Sequence, residues 1–281
     1  MTLPNFVGIG LPRSGSTWLH ELFATHPDVY VPARRKEVRF FDQYYGRGLG
    51  WYESFFPSET EAAHFQAIGE ITPTYFYCPE CPRRIAEVGE IRQLLLTLRN
   101  PIDRAFSAYK IYVQLNNYGG SFTDFVEQEP DAIESGFYSR WLRNYLQVFD
   151  RSQILVLVFE QMVADVPGTE QTLAHFVGVA PDRFNLAREK GKVNPSHVPA
   201  EGLSRAAYTL SGVVYRKFRD WDLDWMVHKA KPAFKRLFGK GVELPPMDPE
   251  TRSRLAETYR TEIKDLEVLT GIDLSVWADW A

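Results

Sequence analysis

A short apolar run that turns through small and hydroxylated residues into a helical repeat constrains this chain more than any other stretch. Phe6-Val7-Gly8-Ile9-Gly10 has the length and uniform apolarity of a strand buried on both faces of a parallel sheet. After Leu11-Pro12-Arg13-Ser14-Gly15-Ser16-Thr17, the residues Trp18, Leu19, Leu22 and Phe23 recur at helical spacing. A strand that enters a helix through so short a turn aims the helix's unpaired N–H groups and the positive end of its dipole at that turn. Such a turn is a phosphate cradle. Gly15 lets the backbone approach an anion, and Ser14, Ser16 and Thr17 offer hydroxyl donors.

The run Gly10 to Thr17 follows the phosphate-loop pattern G-x-x-x-x-G-K-[ST] except that Ser16 stands at the lysine position. That lysine reaches the β- and γ-phosphates of a triphosphate, so its replacement argues against nucleotide triphosphate hydrolysis. Arg13, earlier in the loop, supplies a fixed cation able to hold an oxyanion bidentately. A plain glycine-serine turn between strand and helix is the bland alternative.

The chain of 281 residues has room for one large α/β domain, and a single domain is expected. A formal net charge of -4 carries no global nucleic-acid signature. No apolar run reaches the roughly 18 residues of a membrane span, and Met1-Thr2-Leu3-Pro4-Asn5 lacks the features of a signal peptide. The simplest expected location is the cytoplasm. Cys78 and Cys81 form an isolated C-x-x-C with no second ligand pair, so no metal site is expected.

Downstream, the run from Ile91 to Ser107 repeats the opening theme: a buried strand ends at Arg99, Asn100-Pro101 turns the chain, and a helix begins. Ligands of open α/β sheets bind at the carboxyl edge of the strands. Arg99 and Ser107, eight residues apart, are therefore candidates to grip one phosphate. Ile154 to Phe159 is a further buried strand, and the alternation of strands with helices predicts a mainly parallel sheet flanked by helices on both faces. In Arg34-Arg35-Lys36-Glu37-Val38-Arg39-Phe40-Phe41-Asp42, cations surround one carboxylate. Glu37 is the best general-base candidate in the chain, with a solvated charge cluster as the alternative. Lys190-Gly191-Lys192 is a basic loop, and the basic, aromatic segment at about 205–240 suits a membrane surface, an anionic substrate, a partner or plain helical packing. A C-terminal helix is expected at about 249–270. Besides group transfer from a nucleotide, a small-molecule kinase and a nucleotide-binding protein without turnover also fit these features.

Taken together, these positions resemble the sulfotransferases that use 3'-phosphoadenosine 5'-phosphosulfate, in particular the heparan sulfate glucosaminyl sulfotransferases and their bacterial relatives. The resemblance runs over roughly residues 6 to 200, with a bacterial-type C-terminal helix and Trp277 after it. It implies a P-loop-like α/β fold. Leu11 to Leu19 matches the family's 5'-phosphosulfate loop, which would put Arg13, Ser14, Gly15, Ser16, Thr17 and Trp18 at the cofactor. Arg99 with Ser107 matches its 3'-phosphate motif, and Lys190, Gly191 and Lys192 its late cofactor loop. Glu37 falls on the catalytic base of the glucosaminyl branch, with Arg13 as charge stabiliser, and Lys36, Arg39, Asp42 and Glu70 are implied at a carbohydrate or small-molecule acceptor. Two positions depart from the family pattern: Arg13 replaces a lysine, and Ile71 stands where the heparan-type enzymes carry a second active-site lysine. The cysteine pairs of some Golgi relatives are also missing, which fits a reducing compartment.

Overall fold

Five of the apolar runs pair side by side. They are β1 (Phe6–Gly10), β2 (Val29–Tyr30), β3 (Ala67–Ile71), β4 (Gln93–Leu98) and β5 (Ile154–Val158), joined in parallel in the order β2-β3-β1-β4-β5. The computed structural model describes residues 2–116, 118–185, 198–199, 241–242 and 244–280. The expected cofactor loop at Lys190, Gly191 and Lys192 and the segment at 205–240 lie outside the described residues.

Helices flank this parallel sheet, as the alternation of strands and helices predicts. Helix α1 (Ser16–Thr25) ends where Pro27 disfavours helix at His26, which is extended with φ -86° and ψ 124°. From α1, Leu19, Leu22 and Phe23 pack with Phe6, Ile71 and Leu95 of the sheet and with Leu173, Ala174 and Val177 of the helix Val166–Val177. Elsewhere Phe76 stacks on Tyr145 of the helix Tyr138–Leu146 at 6.1 Å. A Cβ on Gly10 would stand 2.8 Å from the Cβ of Phe76, so only glycine lets β1 approach that ring.

The strand order decides where a ligand can bind. From β1 the chain goes first to β2 and β3 on one side and then to β4 and β5 on the other. The carboxyl ends of β1 and β4 are therefore neighbours at the point where the winding direction reverses, the usual crevice of such sheets.

The described residues fall into two compact units, one within Met1–Asn100, Phe137–Val193 and Arg260–Ala281, the other within Pro101–Gly136 and Asn194–Tyr259. The first holds the five-stranded sheet. In the second, Phe106 and Tyr109 of the helix Pro101–Asn116 pack on Phe122, and Tyr109 on Phe125. Ser121 and Asp124 close a capping box at the start of the helix Phe122–Gln128. The C-terminal helix spans Pro249–Thr270, where Arg252 pairs with Asp103 at 2.8 Å and the Tyr259 hydroxyl donates to the Ile133 carbonyl at 2.8 Å. Among the described residues no helix is long and apolar enough to cross a membrane.

Candidate active site

The turn after β1 is held from β4. Thr97 donates its hydroxyl to the Gly10 carbonyl at 2.8 Å, and the Leu11 amide donates to the Thr97 carbonyl at 3.0 Å. Arg13 and Gly15 then take left-handed conformations, with φ of 72° and 90°. At Gly15 the demand is double, because a Cβ would also stand 2.9 Å from the Phe159 ring. Gly15 caps α1 without any side-chain acceptor, so the first amides of the helix open toward the turn. Ser14 is fully buried, and its hydroxyl has no hydrogen-bond partner among the described residues. A buried donor of this kind fits a phosphate oxygen.

Two guanidinium groups meet at this turn. Arg99, just past the end of β4, donates from Nη1 to the Arg13 carbonyl at 2.9 Å and lies 5.0 Å from the ring centre of Phe159. Burial, and then the positive charge of Arg99, hold the Arg13 guanidinium below its ordinary range. Like charges placed together out of water favour an anion between them. The strand end that carries Arg99 is fastened in turn. The Asn100 amide donates to Glu160 at 3.1 Å, Trp277 Nε1 donates to the other oxygen of Glu160 at 2.8 Å, and the Asn100 side chain donates to Asp279 at 2.7 Å.

A third cation joins the turn to the carboxylate singled out in the sequence. Lys36 Nζ donates to Thr17 Oγ1 at 2.6 Å and stands 3.7 Å from one oxygen of Glu37, while Arg39 reaches the other at 3.4 Å. The Glu37 side chain is 31% exposed, so it remains open to an incoming molecule.

Behind this loop lies Glu70, on β3 opposite Val7 of β1 and fully buried. Its oxygens accept from Tyr75 at 2.7 Å, from Thr72 at 2.7 Å and from Tyr52 at 3.4 Å. Burial pushes its carboxyl up to about 7 against the lowering effect of those hydroxyls, with the charge of Asp42 adding to the rise. Asp42 accepts from Thr74 at 2.6 Å, and burial raises its carboxyl as well.

A model of the sulfotransferase domain matches residues 4–194. The chain belongs to the sulfotransferase domain family. Heparan sulfate glucosamine 3-O-sulfotransferase 3A1 of Mus musculus is 30% identical over 241 residues, covering 78% of this chain and 60% of that protein. Heparan sulfate glucosamine 3-O-sulfotransferase 6 of Mus musculus is 32% identical over 184 residues, covering 63% of this chain and 52% of that protein. This chain thus spans a little over half the length of these curated relatives. Among solved structures, a sulfotransferase from Alicyclobacillus acidocaldarius shares the fold, with a TM-score of 0.69 at 22% identity over 99% of this chain and 100% of that one.

In this member of the sulfotransferase domain family the structure brings Arg13, Ser14, Gly15, Thr17, Lys36, Glu37 and Arg99 into one neighbourhood of the first unit. Ser16 opens α1, 8% exposed, and Trp18 packs, partly buried, against the core beneath that helix. Ser107 lies in the second unit on the helix Pro101–Asn116, 8% exposed. Glu70, expected at the acceptor, is corrected by its burial: its oxygens are taken by hydroxyls of its own chain.

Sequence reasoning passed over three neighbours of the site. His20 lies one turn beyond Thr17 on the same face of α1, a signal readable from spacing alone. Burial and the nearby Lys36 charge push it down to about 4, so its imidazole is neutral at pH 7. Thr72 follows β3 and Tyr75 lies in the turn after it, and nothing in their spacing links them to the loop at Glu37.

Proposed function

We propose that this chain transfers a sulfuryl group from 3'-phosphoadenosine 5'-phosphosulfate to a hydroxyl or amine of a carbohydrate or other small acceptor, without a metal. The observation that carries this reading is Lys36, whose ammonium joins Thr17 of the anion turn to Glu37. A base tied to the cradle of the donor is what in-line transfer requires.

The donor, when bound, supplies the sulfuryl group. Arg13, the Ser14 hydroxyl and the amides at the start of α1 hold the 5'-phosphate and stabilise the charge it gains on departure. Arg99 holds the 3'-phosphate, the role that the family resemblance also gives to Ser107, Lys190, Gly191 and Lys192. The Glu37 carboxylate accepts the proton of the acceptor's hydroxyl or amine, and Lys36 and Arg39 keep that carboxylate oriented. Lys36, Arg39 and Asp42 face the acceptor. The 3-O-sulfotransferases named above bear in their names an action on heparan sulfate glucosamine, which supports a sugar as the first acceptor to try. Ile71 removes a cation from this site, so an acceptor with fewer anionic groups than heparan sulfate suits it better.

The test is incubation with sulfate-labelled donor and a panel of glucosamine-containing oligosaccharides, neutral sugars and phenols. Label carried onto an acceptor, with release of adenosine 3',5'-bisphosphate, supports the reading. Transfer of phosphate from ATP to the same acceptors, with none from the sulfated donor, would replace it with a kinase.

A further inference from the structure

We propose that Glu70 is a positioning residue of the transfer reaction, fixing through Thr72 and Tyr75 the two backbone amides that shape the loop of Glu37. The inference rests on Glu37 being the base, as argued above.

The connection has two arms of the same construction. In one, Glu70 Oε2 accepts from Thr72 Oγ1 at 2.7 Å, and that oxygen accepts from the Arg39 amide at 3.2 Å. In the other, Glu70 Oε1 accepts from the Tyr75 hydroxyl at 2.7 Å, and that hydroxyl accepts from the Phe40 amide at 2.8 Å. Each hydroxyl carries one proton. Because each receives an amide N–H, its own proton is directed onward to the carboxylate. In its ionised form the carboxylate, which only accepts, satisfies both arms at once; with a proton on one oxygen, as below about pH 7, it presents an O–H to one of them. A carboxamide satisfies one and presents an N–H to the other.

The loop needs such a hold. Arg39 has φ 59° and ψ 29°, a left-handed conformation that non-glycine residues adopt only where their surroundings impose it. The two amides so fixed belong to Arg39 and Phe40, immediately after the stretch in which Glu37 stands between Lys36 and Arg39. The base end of the connection is equally firm, since Glu70 is fully buried and registered against Val7 in the middle of the sheet. Tyr52 adds a third hydroxyl to the carboxylate, on Oε1 at 3.4 Å. Among the described residues no cation pairs with Glu70; a buried carboxylate left so is costly, and placement of Glu37 is what offsets that cost in this proposal.

The experiment is a double-mutant cycle of Glu37→Gln and Glu70→Gln. Turnover is read as loss of sulfate from labelled donor, with a glucosamine-containing oligosaccharide present, or onto water where no sugar is accepted. Binding of adenosine 3',5'-bisphosphate is measured alongside to verify the fold. Glu70→Gln in the parent should lower kcat by about 10²-fold, the scale of a base displaced by about 1 Å, with bisphosphate affinity within about twofold. In the Glu37→Gln background the same substitution should cost almost nothing further, because a residue that acts through Glu37 has nothing left to position. Thr72→Val carries the same cycle should Glu70→Gln fail to fold, and Thr72→Ser, which keeps the hydroxyl, should restore turnover. Equal losses in both backgrounds, or parent-like turnover of Glu70→Gln, overturn the positioning role alone. Parent-like turnover of Glu37→Gln instead overturns the base assignment, and this inference with it.

Discussion

Lys36 donates to the hydroxyl of Thr17 at 2.6 Å across 19 residues of sequence, so the loop that carries Glu37 is tied to the first turn of α1. The same ammonium stands 3.7 Å from Glu37. One cation therefore joins the turn after β1 to Glu37, and under the proposed function it would couple the site of charge departure to the site of proton removal, with measurable consequences.

Glu37→Gln keeps the size of the side chain and removes its ability to accept a proton. A fall in kcat of about 10²–10⁴-fold is expected, the usual contribution of a general base. Calorimetry with adenosine 3',5'-bisphosphate should give an unchanged affinity. Since the side chain is partly exposed, stability should shift by no more than about 0.5 kcal/mol in thermal melts.

Arg99→Ala should weaken bisphosphate binding by about 1.5–3 kcal/mol, the contribution of a charge-assisted hydrogen bond. The parent protein should prefer the bisphosphate to 5'-AMP and to ATP. Because Arg99 also braces the Arg13 carbonyl at 2.9 Å, the variant should lose some affinity for 5'-AMP as well. Equal affinity of the parent for 5'-AMP and the bisphosphate would sink the 3'-phosphate assignment.

Chelation of divalent metal should leave sulfuryl transfer largely intact, since Arg13, Arg99 and Lys36 supply fixed positive charge at the turn. Activity that disappears with EDTA and returns with Mg²⁺ would favour phosphoryl transfer instead.

Glu70 and His20 make opposing predictions for stability against pH. Glu70 rises from 4.5 to about 7 in the folded chain, so the folded state binds the extra proton and stability falls as pH rises across that window. His20 drops from 6.5 to about 4, so the unfolded state binds the extra proton and stability rises with pH over 4 to 6.5. Each effect is on the order of 3 kcal/mol. The two nearly cancel in the parent, which should be flat between about pH 4.5 and 6.5 as far as these groups decide. Asp42, Tyr52 and Tyr75 also face Glu70, and Lys36 and Glu37 act on His20. Denaturant titrations of Glu70→Gln should therefore show stability climbing with pH, and those of His20→Gln should show it falling. The same sign in both variants would contradict this assignment.

Gly15→Ala asks a left-handed residue to carry a Cβ 2.9 Å from the Phe159 ring. Either the ring or the turn must move, and both border Arg99. A loss of bisphosphate affinity larger than the loss of thermal stability is expected, read by calorimetry and melting of the same preparation.

The turn after β1 and the second strand-turn-helix were legible in the sequence because their determinants are local. Apolar runs at Phe6–Gly10 and Gln93–Leu98 make strands, glycine and proline make the turns, and helical spacing follows at once. Arg13, Arg99 and Glu37 could be named as candidates for the same reason: each sits at a fixed offset from such a boundary or inside a dense charge cluster. What tertiary structure alone decided were the long-range partners. Strand order put the ends of β1 and β4 side by side, so that Arg99 braces a carbonyl 86 residues earlier in the chain. The pairing of β3 with β1 buried Glu70 at a register where its two oxygens collect Thr72 and Tyr75. A lone carboxylate in a strand reads as a solvent or substrate contact until its neighbours are known, because burial is a property of the packed sheet and not of the residue.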